Sequence, residues 1–170
     1  LDQVLGLGVD AGGGVVQDQD ARVFEQRPGD GDALLLPAGE GDAPLPDGDA
    51  LAAVLGSRPG RDTVVVAVHP VTLHADTTAE ADALFEALRE QDDVVFCFPN
   101  ADAGSRALIR RAQGFCDGRR NARLHTNLAP PLYWALLREA GTLVGNSSSG
   151  IMETGSLGLP TVDVGARQAG

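Results

Sequence analysis

A doubly wound, mostly parallel α/β sheet of about five strands, preceded by a low-order acidic tail, is the architecture this sequence predicts. Three observations carry the expectation. Apolar runs rich in Val, TVVVAV at residues 63–68 and DVVFCF at 93–98, show no alternation and read as strands buried on both faces. Segments of helical periodicity separate such runs, and repeated strand-helix units close into parallel sheets. Before residue 63 the texture is different, with Gly, Asp and Pro crowding out the apolar residues that a core needs.

Residues 1–62 open with LDQVLGLGVDAGGGVVQDQD. The glycines of GLGVDAGGG have neither the Gly-x-Gly-x-x-Gly spacing nor a convincing helix after them, so phosphate binding is not expected there. Pro28-Gly29-Asp30-Gly31-Asp32, Gly39-Glu40-Gly41-Asp42 and Asp47-Gly48-Asp49 then make a low-complexity tract. It buries too little apolar surface to offset its chain entropy and is expected to be poorly ordered, apart from short apolar pieces at 33–36 and 51–55. A calcium loop would need Glu at its twelfth position and flanking amphipathic helices, and neither is found. The chain therefore divides into an acidic segment, 1–62, and a folded one, 63–170.

From residue 63 the elements follow in order. The first strand ends at His69 and Pro70. In open α/β sheets ligands bind beyond the carboxyl ends of strands, which puts His69 at ligand height, although a lone His in that place is more often structural. Residues 77–91 read as an amphipathic helix, with Thr77 and Glu80 in a capping-box pattern and Ala81, Leu84, Phe85 and Leu88 on one face. Beyond the strand at 93–98, Asn100 is either a turn residue or a ligand contact, and Asp102 either a ligand contact or the N-cap of a helix over 105–113. Arg106, Arg110 and Arg111 give that helix a basic face, continued by Arg119, Arg120 and Arg123, and the face reads as solvated. A short strand at 121–126 leads to a helix at 132–140, entered through Pro131 and stopped by Gly141, in which Tyr133 and Trp134 read as core or interface residues. Strands at 142–144 and 159–164 complete the sheet.

The stretch LVGNSSSGIMETGSLGLPTVDVG, residues 143–165, links those last two strands and carries the densest chemistry. Asn146, Ser147, Ser148 and Ser149 supply hydroxyls and backbone N–H groups at the start of a short helix. A helix start presents unpaired N–H groups and partial positive charge, so the turn reads as a seat for phosphate that needs no Lys or Arg. Ser-rich turns also cap helices without binding anything. Gly150 would let a ligand approach the backbone, and Glu153, one turn on, could accept hydrogen bonds from a diol such as ribose. Arg167, after the last strand, is placed either to reach a diphosphate with its forked donors or to pair with a surface acid.

Four stretches in one order, HPVTL from His69, FPNADAGSR from Phe98, the helix containing LYWALLREAG from Leu132, and GNSSSGIMETGSLGLPTVDVGARQ, resemble the hydrolysing UDP-N-acetylglucosamine 2-epimerases. The resemblance covers residues 63–170. NSSSG with GARQ points to the hydrolysing branch, because the non-hydrolysing enzymes carry a Gly-Gly-Val-Gln type turn and a different His motif. It implies a Rossmann-like sheet equivalent to the C-terminal domain of the two-domain GT-B fold. The implied activity converts UDP-GlcNAc and water to N-acetylmannosamine and UDP, with no metal and no cofactor. It also implies that His69 is catalytic and contacts the UDP phosphates, and that Asn100, Ser147, Ser148, Glu153 and Arg167 bind UDP. The family's N-terminal domain, which holds its carboxylate acid/base residues, has no counterpart in residues 1–62. The chain is therefore expected to be a fragment carrying the UDP-binding half, with little or no turnover by itself. A GT-B glycosyltransferase fragment and a non-catalytic UDP-sugar binding module are the alternatives.

A net charge of −11 argues against nucleic acid or an anionic membrane as partner, and residues 1–62 hold −8 of it, with twelve acids against four Arg. No run of eighteen apolar residues and no basic-then-apolar start are present, so a cytoplasmic protein is expected. Cys97 and Cys116 lack metal-ligand spacing and read as reduced thiols. UDP-GlcNAc or UDP and the unmatched N-terminal domain are the expected partners, and a homo-oligomer is left open.

Overall fold

Val-rich strands that hide both faces need a helical layer on each side, and the computed structural model has that arrangement over the residues it describes, 17–18, 21–24, 44–70, 78–98, 105–165 and 167–168. In chain order the elements are β1 (Gln17–Asp18), β2 (Ala21–Phe24), α1 (Gly48–Leu55), β3 (Thr63–Ala67), α2 (Thr78–Ala87) with a 3-10 turn at Leu88–Glu90, β4 (Asp93–Phe98) and α3 (Ser105–Cys116). There follow β5 (Ala122–Thr126), α4 (Pro130–Glu139), β6 (Thr142–Gly145), α5 (Ser149–Met152), α6 (Thr154–Leu157) and β7 (Thr161–Val164). The sheet runs β1-β2-β7-β6-β3-β4-β5, and the five strands from β7 to β5 are parallel. β3 is the first of these five in sequence and lies in the middle. The chain moves outward through β4 to β5, then returns to β6 on the other flank of β3.

Alternate residues of each strand serve the two layers. Val64, Val66, Val94, Phe96 and Phe98 meet Ala81, Leu84, Phe85 and Leu88 of the α2 region and Ala112 of α3. Val65, Ala67, Val95 and Cys97 meet Leu51 and Leu55 of α1 and Ala135, Leu136 and Leu137 of α4. On the first face Phe96 lies 5.5 Å from the ring centres of both Phe85 and Phe115, and 6.5 Å from Phe98. The basic face expected to be solvated is partly spent on this cluster: Arg111 stacks over Phe85 at 5.0 Å and pairs with Asp82, and Arg119 covers Phe115 at 4.2 Å. Arg106, Arg110 and Arg120 remain exposed.

The acidic segment contains more structure than its composition predicts. Asp47, in the Asp-Gly-Asp tract, accepts from the N–H groups of Asp49 at 3.1 Å and Ala50 at 2.9 Å and so caps α1. Gly56 ends the helix in the left-handed region at φ 82°. Between them Leu51 and Leu55, one turn apart and within the apolar piece expected at 51–55, are buried against α4. β2 pairs antiparallel with β7, adding an edge to the sheet where no strand was expected. Residues 1–16, 19–20 and 25–43 lie outside the described residues, as do Thr77 of the capping box and Asp102.

At the amino ends of the strands a polar network ties three elements together. Asp93 accepts from Thr63 Oγ1 at 2.6 Å through one carboxylate oxygen and from Arg123 Nη2 at 2.6 Å through the other, while Arg123 also reaches Ser57. The ion pair is mostly shielded from solvent, which makes it worth more than an exposed pair. This end of the sheet is fastened, and the carboxyl ends are left for other work.

Phe96→Ala should destabilise the chain by about 3–5 kcal/mol in urea denaturation, the usual cost of emptying an aromatic site in a packed core. A loss below about 1 kcal/mol would contradict the placement of Phe96 at the centre of the cluster.

Candidate functional site

Because β4 and β5 leave β3 on one side and β6 and β7 on the other, the order of the parallel strands reverses between β3 and β6. Loops leaving these two strands diverge to opposite layers and open a crevice at their carboxyl ends, where ligands bind in open α/β sheets. The ladder between the two strands ends with Ala67 opposite Gly145. Gly145 has φ 146°, and a Cβ there would collide with the carbonyl of Ala67, so the close approach requires glycine.

One residue further on, Asn146 continues the ladder with its side chain. Its N–H donates to the Ala67 carbonyl at 3.2 Å, its Oδ1 accepts from the His69 N–H at 2.7 Å, and its Nδ2 donates to the His69 carbonyl at 2.9 Å. A backbone N–H can only donate and a carbonyl only accept, so the partners themselves fix which end of the amide is which. Asn146 is 3% exposed, and its own carbonyl is taken as well, accepting from Arg167 Nη1 at 2.7 Å and Gln168 Nε2 at 2.9 Å. The ends of β3, β6 and β7 are joined at this one residue.

The serine turn follows directly. Ser147 Oγ accepts from the Ser149 N–H and lies 3.3 Å from Ser149 Oγ. Ser148 precedes α5 without capping it, so its hydroxyl is not spent on the helix. Among the described residues, no acceptor takes the N–H of Ser147 or of Ser148. Gly150, expected to admit a ligand, has a different use: a Cβ on it would meet Thr161 Cγ2 at 2.8 Å, so its bare backbone lets α5 lie against β7. The helix is two short pieces, α5 and α6, meeting at Glu153.

Between the two diverging loops lies an open cleft of about 700 Å³. His69, Ser147, Ser148 and Glu153 line it together, as four of the six residues singled out in the sequence. Arg167 stands behind them on the Asn146 carbonyl, and among the described residues no carboxylate pairs with it. Asn100 lies outside the described residues. Glu153 Oε2 is buried and has no hydrogen-bond partner among the described residues, and an orphaned carboxylate oxygen facing a cleft is a position that a ligand hydroxyl or a water would relieve.

Several lining residues carry no sequence signal for that place. Tyr133 and Trp134, expected in the core or at an interface, form a wall of the cleft with Phe98, Leu128 and Pro130. Asn127, in the left-handed region at φ 56°, donates its N–H to the Phe98 carbonyl at 2.9 Å and holds the rim. Cys97 forms part of the floor, and burial pushes its thiol up to about 12, which keeps it protonated and unreactive. Both cysteines are free. Among the described residues no group of His, Cys, Asp or Glu gathers as a metal site, and no helix is long and apolar enough to cross a membrane.

Residues 42–170 match the protein family described as UDP-N-acetylglucosamine 2-epimerase. This chain belongs to that family. Polysialic acid biosynthesis protein P7 of Escherichia coli is 34% identical over 130 residues, which is 74% of this chain and 33% of the relative. The GDP/UDP-N,N'-diacetylbacillosamine 2-epimerase (hydrolyzing) of Campylobacter jejuni is 30% identical over 114 residues, 65% of this chain and 30% of its own. The UDP-N-acetylglucosamine 2-epimerase of Neisseria meningitidis is 31% identical over 103 residues, 59% of this chain and 27% of its own. The chain thus spans about a third of the length of the curated relatives it matches. The family match begins at residue 42, ahead of α1, so the helix capped by Asp47 falls within the family's shared sequence.

Tyr133 is the single tyrosine of the chain, so its ionisation can be followed directly near 295 nm. Burial raises its pKa, against a hydrogen bond with Ser149 that lowers it, and the nearby Cys97 and Glu153 raise it further. Folded chain should show no phenolate through about pH 10, whereas the unfolded chain titrates near 10. Because the folded value lies above the unfolded one, the associated stability is fully present below about pH 10 and is lost as pH rises beyond it. Ordinary titration near 10 in the folded state would contradict the burial of Tyr133 in the cleft wall.

Proposed function

We propose that this chain is the nucleotide-binding half of a hydrolysing UDP-N-acetylglucosamine 2-epimerase, an enzyme that converts UDP-GlcNAc and water to N-acetylmannosamine and UDP. The observation that supports it most is the gathering of His69, Ser147, Ser148 and Glu153 on one cleft at the β3/β6 reversal. In this reading the diphosphate lies on the open N–H groups and hydroxyls of Ser147 and Ser148. Glu153 Oε2 accepts from a ribose hydroxyl, and the flat base packs against the apolar wall of Phe98, Leu128, Tyr133 and Trp134. His69 and Arg167 stand by the diphosphate, and Asn100 is assigned to the same ligand.

The chemistry follows from where charge develops. Eliminating UDP from the sugar leaves negative charge on the departing diphosphate, and preoriented donors that meet this charge lower the barrier more than they tighten substrate binding. Removing the proton at the sugar C2 needs a carboxylate base and rehydration needs an acid, roles assigned here to polypeptide outside residues 63–170. The free thiols accord with a reducing, cytoplasmic setting. A homo-oligomer is compatible with this reading and is not required by it.

Calorimetric titration of the chain with UDP should give a saturable complex, with GDP weaker, and Glu153→Gln should loosen UDP about 10-fold or more, in line with roughly 1.5–3 kcal/mol for a hydrogen bond to a charged group. UDP-GlcNAc should bind without release of UDP. Absence of UDP binding would contradict the proposed nucleotide site, and turnover by this chain alone would contradict the assignment of the acid/base groups to other polypeptide.

A further inference from the structure

We infer that Asn146 is a positioning residue for His69: its side-chain amide, acting as a substitute peptide group at the end of the β3/β6 ladder, sets where the imidazole stands over the cleft. The inference rests on the proposed nucleotide site, and it assigns a role to a residue that does not itself line the cleft.

The β3/β6 ladder ends at Ala67 and Gly145, and beyond it the two ends of the Asn146 amide meet the N–H and the C=O of His69. Left bare in a part-buried place, each would cost free energy comparable to a lost hydrogen bond. The replacement must offer one acceptor and one donor on a rigid plane, spaced like a peptide. Asn does so. Asp at neutral pH offers two acceptors and would set a carboxylate oxygen against the His69 carbonyl, where Nδ2 now stands at 2.9 Å. Ser offers one hydroxyl and reaches one partner at a time.

The geometry also separates the two residues' tasks. Asn146 is 3% exposed and both ends of its side chain are occupied by His69, so any effect on a ligand passes through what it holds. His69 lines the cleft and its peptide is the group held. With His69 replaced by Ala the clamp on the backbone persists, but no imidazole remains to be aimed.

That asymmetry defines the test, a double-mutant cycle on the dissociation constant for UDP. Asn146→Ser should weaken binding about 10-fold in the otherwise unaltered chain and less than about 2-fold when His69 is already Ala, since coupled residues depart from additivity. Asn146→Asp, which preserves volume, should show the same pattern at neutral pH. Its deficit relative to the parent chain should shrink as pH falls and the protonated carboxyl again supplies a donor. A general loss of structure would weaken both backgrounds equally, and equal fold-losses in the two backgrounds would overturn the inference. A second readout needs no nucleotide: the NMR signal of the His69 Cε1 proton should move on Asn146→Ser and stay in place on Glu153→Gln. An unmoved signal would overturn the positioning role, whereas a chain that fails to bind UDP but shows the moved signal would sink only the nucleotide site.

Discussion

The reversal of strand order between β3 and β6 is the constraint on which the rest of this structure depends. Five parallel strands with β3 first and central leave one place where neighbouring strands send their following loops to opposite layers. Along the middle of the sheet both faces are packed. Val65, Val95 and Leu143 on one face and Val66, Phe96 and Val144 on the other fill the space between sheet and helices. At the reversal the backbone itself must end cleanly, and Gly145, passing too close to Ala67 for any side chain, is how it does so.

Order at the two ends of the sheet is divided accordingly. At the amino ends, the Asp93 carboxylate draws Thr63 and Arg123 together and leaves little for a ligand to meet. At the carboxyl ends the polar groups are only partly satisfied. Asn146 makes five hydrogen bonds, to Ala67, His69, Arg167 and Gln168. His69, which it holds, lines the cleft, and among the described residues the buried Glu153 Oε2 has no hydrogen-bond partner. A well-bonded hub behind a less satisfied surface is a preorganised arrangement, in which the ordering cost is met on folding and not on association.

What could be read from the sequence was governed by locality. Strands such as DVVFCF declare themselves, because burial on both faces removes the polar alternation, and the expected span at 93–98 matches β4 to the residue. The position of His69 beyond β3 and of the serines beyond β6 was equally legible, since each needs only its own strand's end. Asn146 was read merely as a donor of turn groups, because a side chain that imitates a peptide shows its meaning only when a strand 77 residues away lies beside it. Tyr133 and Trp134 read as core or interface residues and not as cleft wall for the same reason: the first turn of α4 meets the cleft through the crossover from β5. The Asp47 cap was a local signal that composition overrode, since Asp-Gly-Asp ahead of LAAVL reads equally as a disordered tract or as the start of a helix.

Backbone amide resonances are the most direct test of the proposal that the cleft is a nucleotide site. On titration with UDP the account predicts that the largest shifts fall on Ser147, Ser148, His69 and Glu153, around both lips of the β3/β6 crevice. Shifts centred on the exposed face of α3, or on the β2/β7 edge, with the serine turn unmoved, would contradict it.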